Sequence, residues 1–190
     1  MSDKLASRLR QAAAKLEQGK VVAGLIRLLE QAADALEQGR TASLPLSPYL
    51  AVPSEDAEGL VLEADGGSRG NPGPAGAGAV LRNQHGLVLH ELSKFLGLAT
   101  NNVAEYQALI MGLEAAVPHN PKKLLIKLDS ELLVKQLNGS YQVRSELLKP
   151  LHGQARSLLA RFRQTEIVHI ARGQNQLADA LANRAMDAGQ

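Results

Sequence analysis

The 190 residues are 45% hydrophobic with a formal charge of +2, enough apolar content for one sizeable core plus an appendage. There is no cysteine, which excludes disulfides and thiolate metal sites, and no apolar run approaches the roughly 20 residues of a membrane helix. The N-terminus lacks the apolar block and cleavage site of a signal peptide, so a cytoplasmic protein without a membrane partner is expected. From residue 60 onward 14 Lys/Arg stand against 11 Asp/Glu, a mild excess that permits phosphate binding without demanding it.

In chain order, residues 4–38 predict two helices, with Leu5, Leu9, Ala12, Ala13 and Leu16, then Val22, Leu25, Leu28, Leu29, Ala32, Ala33 and Leu36, at helical spacing. The segments QAAAKLEQGK (11–20) and QAADALEQGR (31–40) match at seven of ten positions, so residues 1–40 read as a helical hairpin built from two copies of one amphipathic helix. Its apolar stripe must be buried by something, and a homodimer or a protein partner through residues 1–40 is the expectation. Pro45, Pro48 and Pro53 make residues 41–58 a linker, leaving 59–190 as the main domain.

Residues 60–65 (LVLEAD) predict a first strand, followed by a glycine-rich turn over 66–78. Strands are expected at 79–82 and 87–96, a helix at 102–117, a strand at 123–128 and a helix at 130–137. A long helix at 146–162, a strand at 166–170 and a helix at 176–186 complete the pattern. Three strands joined by short turns are antiparallel, and later ones separated by helices run parallel. The expected fold class is α/β, a mixed five-stranded sheet flanked by helices, with the N-terminal helical hairpin added.

Four acids stand out by position. Asp65 and Asp129 end the first and fourth strands, and Glu105 and Asp179 fall in first helical turns. Ligand sites in open α/β sheets lie beyond strand ends. Clustered carboxylates repel one another, and a cation relieves the repulsion. Oxygen ligands without thiolates favour Mg²⁺ or Mn²⁺. Two such ions about 4 Å apart activate a water and stabilise the leaving oxygen of a phosphodiester. Taken singly, each acid has a plainer reading as a cap or turn residue, or as a helix-dipole partner.

The segments DGGSRGNPG (65–73), TNNVAEYQA (100–108), DSE (129–131) and NQLADALAN (175–183) resemble, in order, the four motifs of type-1 ribonuclease H. The likeness spans about 130 residues, and DSELLVKQLNGSYQV places it nearest the prokaryotic and archaeal branch that lacks a basic protrusion. The resemblance implies a ribonuclease H-like fold and hydrolysis of the RNA strand of an RNA–DNA hybrid, leaving 5′-phosphate and 3′-hydroxyl ends. It also implies that Asp65, Glu105, Asp129 and Asp179 hold two Mg²⁺ ions, with Asp65 bridging both. By the same resemblance Asn71 and Asn101 contact the RNA strand, Asn102 reaches the DNA strand, and Thr100 helps hold a DNA phosphate.

Gly66, Gly67 and Ser68 are expected to bring backbone close to the nucleic acid, and Asn101 or Asn102 to cap its helix. Arg172 occupies the loop where many bacterial relatives carry a mobile His. It could steady a phosphate but carries protons poorly. His169 reads as a structural strand residue, and Glu131 as a surface residue. A different class of protein remains open, a nucleic-acid- or partner-binding chain of the same fold with weak or no catalysis. The four retained acids favour the enzyme, since a pure binding module has no need to gather them.

Overall fold

The computed structural model describes residues 59–189. The expected hairpin at 1–40 and the linker at 41–58 lie outside the described residues. Strands β1 (Gly59–Ser68), β2 (Gly73–Asn83) and β3 (Val88–Ala99) lead into helix α1 (Asn101–Ala116). After a 3-10 turn (Val117–His119) come β4 (Lys123–Leu128), α2 (Glu131–Leu137) and α3 (Leu148–Leu159). Strand β5 (Thr165–His169), a second 3-10 turn (Arg172–Gln174) and α4 (Gln176–Ala188) follow. The sheet order is β3-β2-β1-β4-β5. β2 is antiparallel to both β1 and β3, and β4 is parallel to both β1 and β5. This is the expected mixed five-stranded sheet.

The alternation of β1 sorts its side chains onto two faces. Leu60, Leu62 and Ala64 are buried in the main core with Tyr106, Leu109 and Leu113 of α1. The opposite face of the sheet carries α4, where Ala178 and Leu181 cluster with Val80. Tyr106 is almost fully buried and its hydroxyl donates to Gln136 Oε1 at 2.8 Å, satisfying both groups in the core.

The glycine-rich segment is not the long turn the sequence suggested. β1 continues through Gly66 and Gly67 to Ser68, β2 starts at Gly73, and only residues 69–72 turn. Contact with the two flanking helices explains the glycines. A Cβ on Gly66 would lie 2.1 Å from the Ala104 carbonyl carbon in α1, and one on Gly78 would lie 2.2 Å from Ala178 O in α4. These strands are sheet because small residues let helices press on them from both sides. α3 is also shorter than expected, and begins at Leu148 with Pro150 in its first turn, where a missing N–H is harmless.

Candidate active site

The pairing of β1 with β4 ends at Ala64↔Leu128, so Asp65 and Asp129 each sit one residue past the last paired rung. They emerge side by side because the two strands are parallel and in register. Asp65 is not at a strand end, as expected, but inside β1, where it still pairs with Gly78 of β2. Glu105 is the fifth residue of α1, in its second turn rather than its first. Asp179 does lie in the first turn of α4. These four acids line one open cleft of about 440 Å³, together with Gly66, Gly67, Ser68, Arg69, Asn101, Arg172, Ala182, Asn183 and Met186.

Three of the four carboxylates are held by side-chain donors. Ser130 Oγ donates to Glu105 Oε2 at 2.6 Å and Asn101 Nδ2 donates to Oε1 at 3.1 Å. Asn175 is 1% exposed, and its Nδ2 donates both to Ala64 O at 2.9 Å and to Asp129 Oδ1 at 3.0 Å. That amide ties β1 to the acid following β4. Arg172 Nη2 donates to Asp179 Oδ1 at 3.0 Å, while Asn183 Nδ2 donates to Asp179 Oδ2 at 3.0 Å. Among the described residues no group of three or more acids or histidines stands close enough together to hold a metal ion as placed.

The electrostatics follow from the crowding. Burial first, then repulsion from Asp129, Asp179 and Glu105, pushes the Asp65 carboxyl up to about 7. Burial also raises Glu105, against the lowering effect of its bond from Ser130. The hydrogen bond to Asp179, with further attraction from Asp65 and Asp129, raises Arg172. An all-oxygen set with an excess of negative charge is the kind of donor set a divalent hard cation prefers.

The expected substrate residues divide. Gly66, Gly67, Ser68, Asn101 and Arg172 line the cleft, whereas Asn71, Thr100 and Asn102 do not. Asn71 lies close by, its Oδ1 accepting from the Asn101 backbone N–H at 3.2 Å. Thr100, not Asn101 or Asn102, caps α1, with its hydroxyl accepting from Val103 N at 3.4 Å. Gly66 packs under α1, so helix contact requires this glycine, whatever approaches from the cleft. His169 ends β5 with Nε2 3.2 Å from the Asp129 carbonyl, and Glu131 pairs with Lys135 at the surface. Sequence reasoning missed Ser130, Asn175, Asn183, Arg69 and Met186. All of these but Met186 sit inside the quoted motifs, but nothing in a motif says which neighbour a side chain will bind.

A mixed sheet that gathers acids from two parallel strands and two helices defines a ribonuclease H-like class of protein. The comparisons agree. A family model described as reverse transcriptase-like matches residues 63–185. The bifunctional protein Rv2228c of Mycobacterium tuberculosis is 48% identical over 130 residues, which is 68% of this chain and 36% of that protein. The chain therefore matches little more than a third of the length of that curated relative. The crystal structure of RNase H1 from the archaeon Halobacterium salinarum NRC-1 has a TM-score of 0.66 and 42% identity, covering 68% of this chain and 98% of that one. LC11-RNase H1, solved in complex with an RNA/DNA hybrid, has a TM-score of 0.65 and 38% identity, covering 68% and 98%. The chain belongs to the ribonuclease H family.

Proposed function

We propose that residues 59–190 form a catalytic domain that hydrolyses the RNA strand of RNA–DNA hybrids in the cytoplasm, leaving 5′-phosphate and 3′-hydroxyl ends. Residues 1–40, joined through the linker at 41–58, are a separate appendage that recruits a second copy or a protein partner. The observation that carries the catalytic reading is the gathering of Asp65, Glu105, Asp129 and Asp179 in one open cleft, where Asp65 is pushed up to about 7. A fold that only bound nucleic acid would gain nothing from concentrating negative charge where phosphates must approach.

Asp65, Glu105, Asp129 and Asp179 are the residues that would hold two Mg²⁺ ions, with Mn²⁺ as a substitute. When bound, the ions supply an activated water and a counter-charge for the leaving oxygen. The chain's own groups prepare that arrangement. Asn175 fixes Asp129 against β1, and Ser130 and Asn101 orient Glu105, so two of the acids are positioned before substrate arrives. Arg172 offsets the charge of Asp179 and offers a cation to a phosphate at the cleft mouth.

Hybrid selectivity needs groups that read a 2′-hydroxyl across a shallow minor groove. Asn71 and Asn101, already joined to one another beside Glu105, supply donors and acceptors for the RNA strand. Asn102 and Thr100, at the start of α1, face the DNA strand, and residues 66–68 line the path between. The test is cleavage of hybrid, RNA–RNA and DNA–DNA duplexes in Mg²⁺ and in Mn²⁺, with Asp65→Asn as control and end-group analysis of products. Hybrid alone should be cut, by the wild type alone. Equal cutting by the variant would sink the site assignment. A wild type that binds hybrid without cutting it would point to a binding protein of the same fold.

A further inference from the structure

Far from the acidic cleft, two histidines face each other in a way the nuclease reading leaves unused. His90 lies on the edge strand β3, opposite the buried Leu81 of β2. His119 ends the 3-10 turn that follows α1, just before Asn120 in the left-handed conformation. Their Nε2 atoms are 3.0 Å apart, the ring centroids 5.2 Å apart and the planes inclined at 64°. Both side chains are half-buried.

We propose that His90 and His119 form a clamp for one divalent transition ion of the Zn²⁺, Ni²⁺ or Cu²⁺ type, which cross-links β3 to the end of α1. With metal–nitrogen bonds of about 2.0–2.1 Å, two ligands on one ion lie about 2.9 Å apart at a right angle and about 3.4 Å apart in a tetrahedron. The observed separation falls within that span. An ion there would take the place of the ring–ring hydrogen bond, with both imidazoles turning so that their Nε2 lone pairs converge on it.

Three further observations support the clamp. Two protonated imidazoles could not sit Nε2 to Nε2, so at least one ring presents a lone pair, the form that ligates metal. Burial, then repulsion from His90, lowers His119 and keeps it neutral. Both histidines are anchored on regular structure, so little freedom is lost on binding.

The donor set also fixes the class of ion. Imidazole nitrogens suit Zn²⁺, Ni²⁺ and Cu²⁺, while Mg²⁺ demands oxygen. Among the described residues no third acid or histidine completes the set, so water fills the remaining positions and the ion exchanges more readily than at a closed four-ligand site. Glu105 and Ala116 are eleven residues apart along α1, a helical rise of roughly 16 Å, and His119 lies beyond that far end.

The experiment titrates the untagged full chain with Cu²⁺ in saturating Mg²⁺, followed by calorimetry and electron paramagnetic resonance. One Cu²⁺ per chain should bind with coupling to two imidazole nitrogens. His90→Gln and His119→Gln should each weaken binding at least tenfold, while His85→Gln and Asp65→Asn leave it unchanged. Hybrid cleavage should be equal in His90→Gln, His119→Gln and wild type, which also shows that the variants fold. On the wild type itself, Zn²⁺ should protect His90 and His119, but not His85, from diethylpyrocarbonate. Unchanged Cu²⁺ binding in both clamp variants, loss of it in Asp65→Asn, or absence of Zn²⁺ protection would each overturn the proposal.

Discussion

The two ends of α1 carry opposite ligand chemistry on one rigid rod. Near its start Glu105 joins three aspartates in an open cleft, and just past its end His119 meets His90. The acidic end gathers four carboxylates, and burial first, then their mutual repulsion, raises Asp65. The histidine end holds two half-buried rings whose Nε2 atoms lie 3.0 Å apart. The acidic end is an all-oxygen donor set, the kind a hard cation prefers. The other offers two imidazole nitrogens, the donors that borderline transition ions prefer. Local charge density, more than the number of donors, separates the two.

Five changes break or sharpen this contrast, from the largest effect to the smallest. Asp65→Asn should lower the hybrid cleavage rate on the order of 10³-fold or more, because residues acting on one reacting centre fail together. It should leave the Cu²⁺ signature of the histidine end intact. Loss of both would place the Cu²⁺ in the acidic cleft and overturn the histidine clamp.

Asn175→Ala removes an almost fully buried amide that bonds Ala64 O and Asp129 Oδ1. About 2–3 kcal/mol of stability should go with it, read by urea unfolding, along with much of the cleavage rate. Gly66→Ala forces α1 off β1 next to Glu105 and should cost about 1–3 kcal/mol. Its damage to metal affinity should appear at the acidic end, with Zn²⁺ protection of the histidines retained.

The fourth is a pH dependence, measured in chelator. The folded Asp65 carboxyl titrates near 7 against an ordinary 3.8, so the folded state holds that proton more tightly than the unfolded chain. Stability from this group is therefore greatest at low pH and is lost as pH rises from about 4 to about 7. Metal-free wild type should lose on the order of 1 kcal/mol relative to Asp65→Asn between pH 5 and pH 8, after allowance for solvent screening. Equal slopes in urea titrations of the two proteins would remove the basis for charge strain in the cleft.

Arg172→Ala breaks an ion pair in which the arginine side chain is 81% exposed, and should change stability by less than about 1 kcal/mol. Its effect belongs in hybrid affinity, where the slope of binding against salt should flatten by about one charge. An unchanged slope would remove Arg172 from the phosphate contacts.

The order of elements, the mixed sheet and the four acids were legible in the sequence because period-two and helical patterns and four short motifs are local signals. The strand character of residues 66–68 and 73–78 was not. Glycine reads as a turn until two helices are seen pressing on it from either side, as Ala104 does on Gly66 and Ala178 on Gly78. The capping of α1 was misplaced for a similar reason, since Thr100, Asn101 and Asn102 are all good caps and only the path of the chain selects Thr100.

By itself, then, the sequence determined the donor types, hard oxygens in four motifs and no thiolate anywhere, because composition limits chemistry before folding begins. Only the tertiary structure decided which donors meet. The parallel register of β1 and β4 brings Asp65 beside Asp129, and Asn175, 46 residues beyond Asp129, ties that acid to Ala64 of β1. The packing of α1 along the sheet sets His119 against His90, a pairing 29 residues apart with no motif to announce it. Proximity between distant residues is a property of packing, and packing is settled only when every element has buried its apolar face.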